Sequence, residues 1–112
     1  MSPSEHPSEL RRIGEDHYLE ACATDDFIGV QTYSRDRVGP KGQLGPEDGV
    51  EVLPMGYEYY PQALEACIRR AHEVTGIPVL VTENGIGTDD DDQRRRYLRT
   101  ALEGVAACLA DG

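Results

Sequence analysis

The stretch that decides the fold runs from Ile77 to Gly85 and reads IPVLVTENG. Its residues 79–82 are apolar or β-branched, which is typical of a strand buried on both faces of a parallel sheet. Glu83 follows at the end of this strand, and Asn84-Gly85 predicts a turn directly after it. Because chemistry in folds of alternating strands and helices lies at the carboxyl ends of the strands, Glu83 is a candidate site residue. On its own it could equally be a solvated loop residue.

Outward from this strand, hydrophobic periodicity predicts three helices and one further strand. The predicted elements are a helix at 8–23, a strand at 27–33, a helix at 61–75, the strand at 78–83 and a helix at 92–110. Gly76 is placed to end the second helix as a C-terminal cap residue. Two strands joined through a helix predict a right-handed parallel unit, so the expected fold class is α/β.

Two segments carry no periodic pattern. Residues 1–7 are polar with two prolines, and we expect them to be disordered. Residues 36–56 are rich in glycine and proline and predict a long loop, which is either a functional rim or disorder.

Length and charge restrict the possible functions. The chain has 112 residues, enough for one ordinary domain, and a formal net charge of -10 from 21 acids and 11 bases. A negative surface excludes nucleic acid and anionic membranes as partners. The absence of a long apolar run and of a signal-peptide core predicts a cytoplasmic protein. The three cysteines lack metal-type spacing and are interpreted as buried free thiols, so no metal site is predicted. No cofactor is expected either.

Two clusters allow a functional and a structural interpretation. The aspartates at 89–92 could bind calcium, but their position favours a helix N-terminus with i, i+4 pairs to the arginines at 94–96. That helix is predicted to bury Leu98, Ala101, Leu102, Val105, Ala106 and Leu109. The tyrosines at 57, 59 and 60 could form a sugar-stacking platform, although packing against the start of a helix is favoured.

Three segments in this order resemble glycoside hydrolase family 1, the β-glucosidase family. They are DFIGVQTYS at 26–34, PMGYEYYP at 54–61 and VLVTENG at 79–85. They resemble the sixth barrel strand, the segment before the sixth helix and the seventh strand of that family. The resemblance covers residues 9–112 and implies part of a (β/α)8 barrel, about two strand–helix units preceded by one helix.

The resemblance also implies roles for four residues. Glu83 matches the nucleophile of a retaining β-glycosidase, and Tyr33 matches the tyrosine that is hydrogen bonded to this nucleophile and orients it. Gln31, where the family more often has asparagine, and Asn84 are expected to contact the β-glycoside substrate. The acid/base residue of the family stands in an Asn-Glu-Pro motif before the matched part, and this chain contains no Asn-Glu pair. We therefore expect the isolated chain to be inactive. The alternative is a non-catalytic module that self-associates or docks to a complementary barrel fragment.

Overall fold

The computed structural model describes Glu9 and residues 11–112. The predicted disordered stretch 1–7 and the first residue of the predicted first helix lie outside the described residues. The elements in chain order are a π-helical turn (Arg12–Asp16), α1 (His17–Ala21), β1 (Ile28–Thr32), β2 (Arg37–Gly39), β3 (Gly42–Leu44), α2 (Ala63–Thr75), β4 (Val79–Asn84) and α3 (Asp91–Ala110).

Strands β1 and β4 form a two-stranded parallel sheet. Residues 28–30 pair in register with residues 79–81, and the register then shifts so that Gln31 pairs with Glu83 and Thr32 with Asn84. The extra residue, Thr82, donates its hydroxyl hydrogen bond to the carbonyl of Val30 at 3.0 Å. This β-bulge changes the direction of every side chain that follows it in β4.

Helices α2 and α3 pack against each other, and α2 also packs on both strands of the sheet. The buried core consists of Leu64 from α2 with Tyr97 and Ala101 from α3, and Val81 of β4 packs against it. Gly76 ends α2 in the left-handed conformation with φ of 69°, so the predicted C-terminal cap is confirmed. The helix begins at Ala63 rather than at the predicted Pro61, because residues 60–63 form a turn first.

The segment predicted as a loop at 36–56 contains a short antiparallel hairpin, β2–β3. Arg37 pairs with Leu44, and Gly42 adopts a φ of 118° where the chain reverses. The prediction that residues 36–56 form one long loop was therefore wrong in this part. Three-residue strands are too short to produce a hydrophobic alternation that could be recognised in the sequence.

The first helix begins with an unusual turn. Residues 12–16 form a π-helix around Gly14, which the sequence marks as a weak helical position, and α1 continues only to Ala21. Asp16 is buried there and forms an ion pair with Arg70 of α2, which joins the first helix to the helix layer.

The start of α3 corrects one predicted detail. Asp90 caps the helix by accepting hydrogen bonds from the backbone N–H groups of Asp92 and Gln93 at 3.0 and 3.3 Å. The ion pairs are i, i+3, with Arg94 on Asp91 at 2.6 Å, and not i, i+4. The Asp90 carboxylate is occupied by the cap, so Arg94 turns to the next aspartate.

The phase of α3 also differs from the prediction. The helix buries Tyr97, Ala101 and Gly104, whereas Leu98 and Leu102 are exposed. Across residues 11–112, no helix has the length and apolarity to cross a membrane. Within the same residues, no three histidine, cysteine, aspartate or glutamate side chains come together where they could hold a metal ion.

Candidate active site at the carboxyl ends of β1 and β4

The β-bulge at Thr82 determines where Glu83 points. Val79 and Val81 are partly buried and Leu80 is exposed, so odd-numbered side chains of β4 face the helices before the bulge. Without the extra residue, Glu83 would follow Val81 into the helix layer. Instead Glu83 is exposed on the open face, and Asn84 takes the helix side.

The Tyr33 hydroxyl donates a short hydrogen bond to Glu83 Oε2. Tyr33 follows directly after β1 and is exposed on the same open face as the carboxylate. This hydrogen bond raises the pKa of the Tyr33 phenol above its ordinary value, with a smaller contribution from desolvation. A protonated phenol on a carboxylate holds that carboxylate in one orientation without taking its negative charge.

The other two predicted site residues lie on opposite sides of the sheet. Gln31 is exposed and pairs with Glu83 across the strands, so it lies on the open face beside the carboxylate. Asn84 donates both of its side-chain amide hydrogens on the helix side, to the carbonyl of Thr32 at 2.8 Å and to the hydroxyl of Tyr97 at 3.0 Å. Its amide nitrogen is thereby occupied by structural contacts. A substrate contact by Asn84 stays a prediction, and only the amide oxygen is left for it.

Tyr97 is a residue of this region that the sequence analysis missed. Its side chain is 0% exposed, and its hydroxyl donates a hydrogen bond to the carbonyl of Tyr33 at 2.8 Å. Burial raises the pKa of Tyr97, so the hydroxyl keeps the proton that it donates. The only sequence signal for Tyr97 was its position one residue before the predicted apolar stripe of α3, and this position does not identify a functional residue.

Residues after Tyr33 are held by a second group of contacts. The Ser34 hydroxyl donates to the carbonyl of Glu58 at 2.7 Å, and Arg35 Nε lies 3.1 Å from Glu58 Oε2. Glu58 is only 6% exposed, and the Arg35 guanidinium lies 4.0 Å from the centre of the Tyr60 ring. A buried carboxylate needs such a partner, so this pair fixes the chain where it leaves β1.

A cavity of about 280 Å³ opens where the chain leaves β1, lined by residues 32–36 and Tyr57. Tyr57 is half-exposed there. Tyr59 packs edge-on against Tyr97, with ring centres 5.9 Å apart, and Tyr60 lies under Arg35. Of the three clustered tyrosines, two therefore pack within the protein, and Tyr57 alone lines this cavity.

Known proteins share the fold over most of the chain. No model of a known protein family matches the sequence. A β-galactosidase from Pyrococcus woesei is 35% identical over 86 residues, covering 77% of this chain and 16% of that protein. A chloroplastic galactolipid galactosyltransferase from Arabidopsis thaliana is 31% identical over 99 residues, covering 85% of this chain and 16% of that protein.

Among solved structures, the β-glycosidase BGL167 is 57% identical with a TM-score of 0.89. The match covers 94% of this chain and 25% of that chain. The chain thus spans about a sixth of the length of those two curated relatives and a quarter of the solved β-glycosidase. The predicted partial barrel is confirmed by these neighbours.

Proposed function

Because the chain is a fragment of the β-glycosidase fold of glycoside hydrolase family 1, we propose that Glu83 is the nucleophile of a retaining β-glycosidase and Tyr33 its orienting phenol. The observation that supports this proposal is the hydrogen bond from Tyr33 to the Glu83 carboxylate on the open face of the sheet. We also propose a β-glycoside as the substrate class and Gln31, which is exposed beside the carboxylate, as a side chain that contacts the sugar.

The chemistry follows from a carboxylate held in this way. Glu83 attacks the anomeric carbon, the bond to the leaving oxygen breaks, and a covalent glycosyl-enzyme forms. Water then cleaves the new ester, so the configuration at the anomeric carbon is retained. The Tyr33 phenol stays protonated during attack and limits rotation of the carboxylate.

The leaving oxygen of an ordinary glycoside also needs a proton. Retaining hydrolases supply it from a second carboxyl about 5–5.5 Å from the nucleophile. Glu58 is buried and bound by Arg35, so it does not serve as a free acid. We therefore propose that this chain carries the nucleophile without the acid/base residue. Its cytoplasmic location stays a prediction.

A glycoside whose leaving group departs without a proton tests the assignment of Glu83 as nucleophile separately from the absence of an acid/base residue. We suggest a glucoside with fluorine in place of the hydroxyl next to the anomeric carbon and dinitrophenolate as leaving group. Dinitrophenolate departs unprotonated, and the fluorine slows hydrolysis so that the glycosyl-enzyme accumulates. Intact-mass measurement should show one glycosyl group per chain, and peptide mapping should place it on Glu83.

Glu83→Gln should abolish the label. The matched control is Glu103→Gln, which changes an exposed glutamate of α3 and should leave the labelling unchanged. Equal labelling of the Glu83→Gln protein would contradict the nucleophile assignment. For aryl β-glucosides with ordinary leaving groups, we expect no turnover by the purified chain. Turnover that Glu83→Gln abolishes would contradict the absence of an acid/base residue.

One observation favours a second candidate, a non-catalytic docking module. Leu80 is 53% exposed on the open face, and within residues 11–112 the strands β1 and β4 pair only with each other. Such a face and its unpaired edges favour association with more barrel strands, from a second copy or a complementary fragment. Light scattering of the purified chain tests this. If the open face associates, Leu80→Lys should lower the mass to that of a monomer, whereas Leu102→Lys, on an exposed position of α3, should not.

A further inference from the structure

The carboxyl ends of β1 and β4 are joined from the helix side by a single buried hydroxyl. Tyr97 of α3 donates to the carbonyl of Tyr33 and accepts from the side-chain amide of Asn84. The same amide also donates to the carbonyl of Thr32. Three residues at the strand ends therefore share one connected set of hydrogen bonds that begins on α3.

These contacts act where the strand pairing stops. The last paired residues of the sheet are Thr32 and Asn84, so Tyr33 lies beyond the backbone ladder. The backbone of Tyr33 is held instead by the Tyr97 hydroxyl at 2.8 Å. Asn84 is the residue next to Glu83, so the same hydroxyl also restrains the chain on the other side of the carboxylate.

The hydroxyl is not needed to fill the core. The Tyr97 ring packs with Leu64 and Ala101, and phenylalanine would occupy the same space. A buried hydroxyl is costly unless it is hydrogen bonded, and this one is bonded on both sides. The hydroxyl therefore contributes to the geometry of the site rather than to core packing, because it fixes the position of the two strand ends relative to each other.

We propose that Tyr97 is a positioning residue, whose hydroxyl holds the Tyr33 phenol against the Glu83 carboxylate by linking the ends of β1 and β4. This inference rests on the proposed function of Glu83 and Tyr33. Tyr97 itself touches no substrate and acts through the Tyr33 carbonyl and the Asn84 amide.

Tyr97→Phe tests the proposal, because it keeps the ring and removes only the hydroxyl. The readout is the Cζ resonance of Tyr33 in protein with isotope-labelled tyrosine, assigned with Tyr33→Phe. Glu83→Gln calibrates the resonance, since it removes the carboxylate that the phenol bonds to. We expect Tyr97→Phe to move the Tyr33 resonance more than half of the way to its position in the Glu83→Gln protein.

Tyr59→Phe is the matched control. Its ring packs edge-on against Tyr97, and the substitution leaves the two hydrogen bonds of the Tyr97 hydroxyl in place. It should leave the Tyr33 resonance in place. A folded Tyr97→Phe protein with an unmoved Tyr33 resonance overturns the proposal, and so does an equal displacement in Tyr59→Phe, which would indicate a packing effect.

Asn84→Ala provides the second variant if Tyr97→Phe does not fold. It breaks the same link at its other end and should displace the Tyr33 resonance in the same direction, and an unmoved resonance again overturns the proposal. The measurement uses no glycoside. Failure to label Glu83 would therefore refute the proposed function alone, while labelling of Glu83 with an unmoved Tyr33 resonance would refute only the role of Tyr97.

Discussion

The two faces of the β1–β4 sheet differ in what covers them. On the helix side, Val30 is buried, and Val81 packs against Leu64 and Tyr97. On the open side, Leu80 is half-exposed, and Gln31 and Glu83 face solvent. The residues that form the core and the residues proposed to take part in catalysis thus lie on opposite faces of the same sheet. A substitution on one face should therefore affect stability, and one on the other face should affect reactivity or association.

Truncating one leucine on each face should give the largest difference. Leu64 is 3% exposed in the helix layer, and Leu64→Ala should lower the free energy of unfolding by about 2–5 kcal/mol, the usual cost of an empty core site. Leu80→Ala on the open face should cost less than about 0.5 kcal/mol, because half of that side chain is already in water. Urea unfolding followed by circular dichroism measures both.

A comparable loss in the two variants would remove the distinction between the faces. It would mean that Leu80 is covered in solution, as association of the open face requires. Repeating the Leu80→Ala measurement at several protein concentrations separates these cases, because the stability of an associated form rises with concentration.

A smaller effect is expected where the two helices touch. A Cβ on Gly104 would lie 2.8 Å from the Cβ of Glu65, so α2 and α3 would have to separate. Gly104→Ala should therefore destabilise the protein by about 1–3 kcal/mol, as overpacking does. Gly14→Ala is the matched control, since apart from the chain neighbours and the helix backbone no atom of residues 11–112 lies within 4 Å of a Cβ there, and alanine favours a helix. Thermal melting should show a lower midpoint for the first variant and an equal or higher one for the second. A Gly104→Ala protein as stable as the parent would show that this helix contact is loose.

Much of the site's location could be predicted from the sequence. An apolar stretch that ends in Glu-Asn-Gly predicts a strand with a carboxylate at its end, and this feature needs only local information. The predicted burial on both faces was wrong, because Leu80 is 53% exposed on the open face. The contact between Tyr33 and Glu83 was expected from the family resemblance, and the structure brings these side chains together. Parallel pairing explains the proximity, because it places the carboxyl ends of both strands at one edge of the sheet.

What could not be predicted depends on register and on helix rotation. The bulge at Thr82 reverses the direction of Glu83 and Asn84, and no residue in VLVTENG marks it. Regular alternation would have placed Glu83 under the helices. The buried face of α3 was misjudged because its leucines suggested a stripe, whereas the close approach of α2 at Gly104 selects the face with Tyr97. Each of these depends on contacts between distant parts of the chain.

The smallest expected effect comes from an ion pair at the surface of the helix layer. Glu51, in the loop before α2, accepts hydrogen bonds from Arg96 at 3.0 Å and Gln93 at 2.7 Å. These two hydrogen bonds hold the pKa of Glu51 below its ordinary value of 4.5, and the one from Arg96 has the larger effect. The folded protein therefore binds this proton less readily than the unfolded chain. The stabilisation is complete above the ordinary pKa and is lost as the pH falls through the lower value in the folded state.

Glu51→Gln should accordingly cost less than about 1 kcal/mol at neutral pH, as exposed ion pairs do. The difference from the parent protein should shrink when urea unfolding is repeated in acid. Glu103→Gln, with the same change of charge on exposed α3, is the matched control for the loss of charge. A difference that grew in acid would mean that the pKa of Glu51 is raised by folding and that the loop is not held by Arg96. The loop would then owe its position to its other contacts, such as the ion pair between the buried Glu58 and Arg35 at the strand ends and the bridge between Val52 and Glu58.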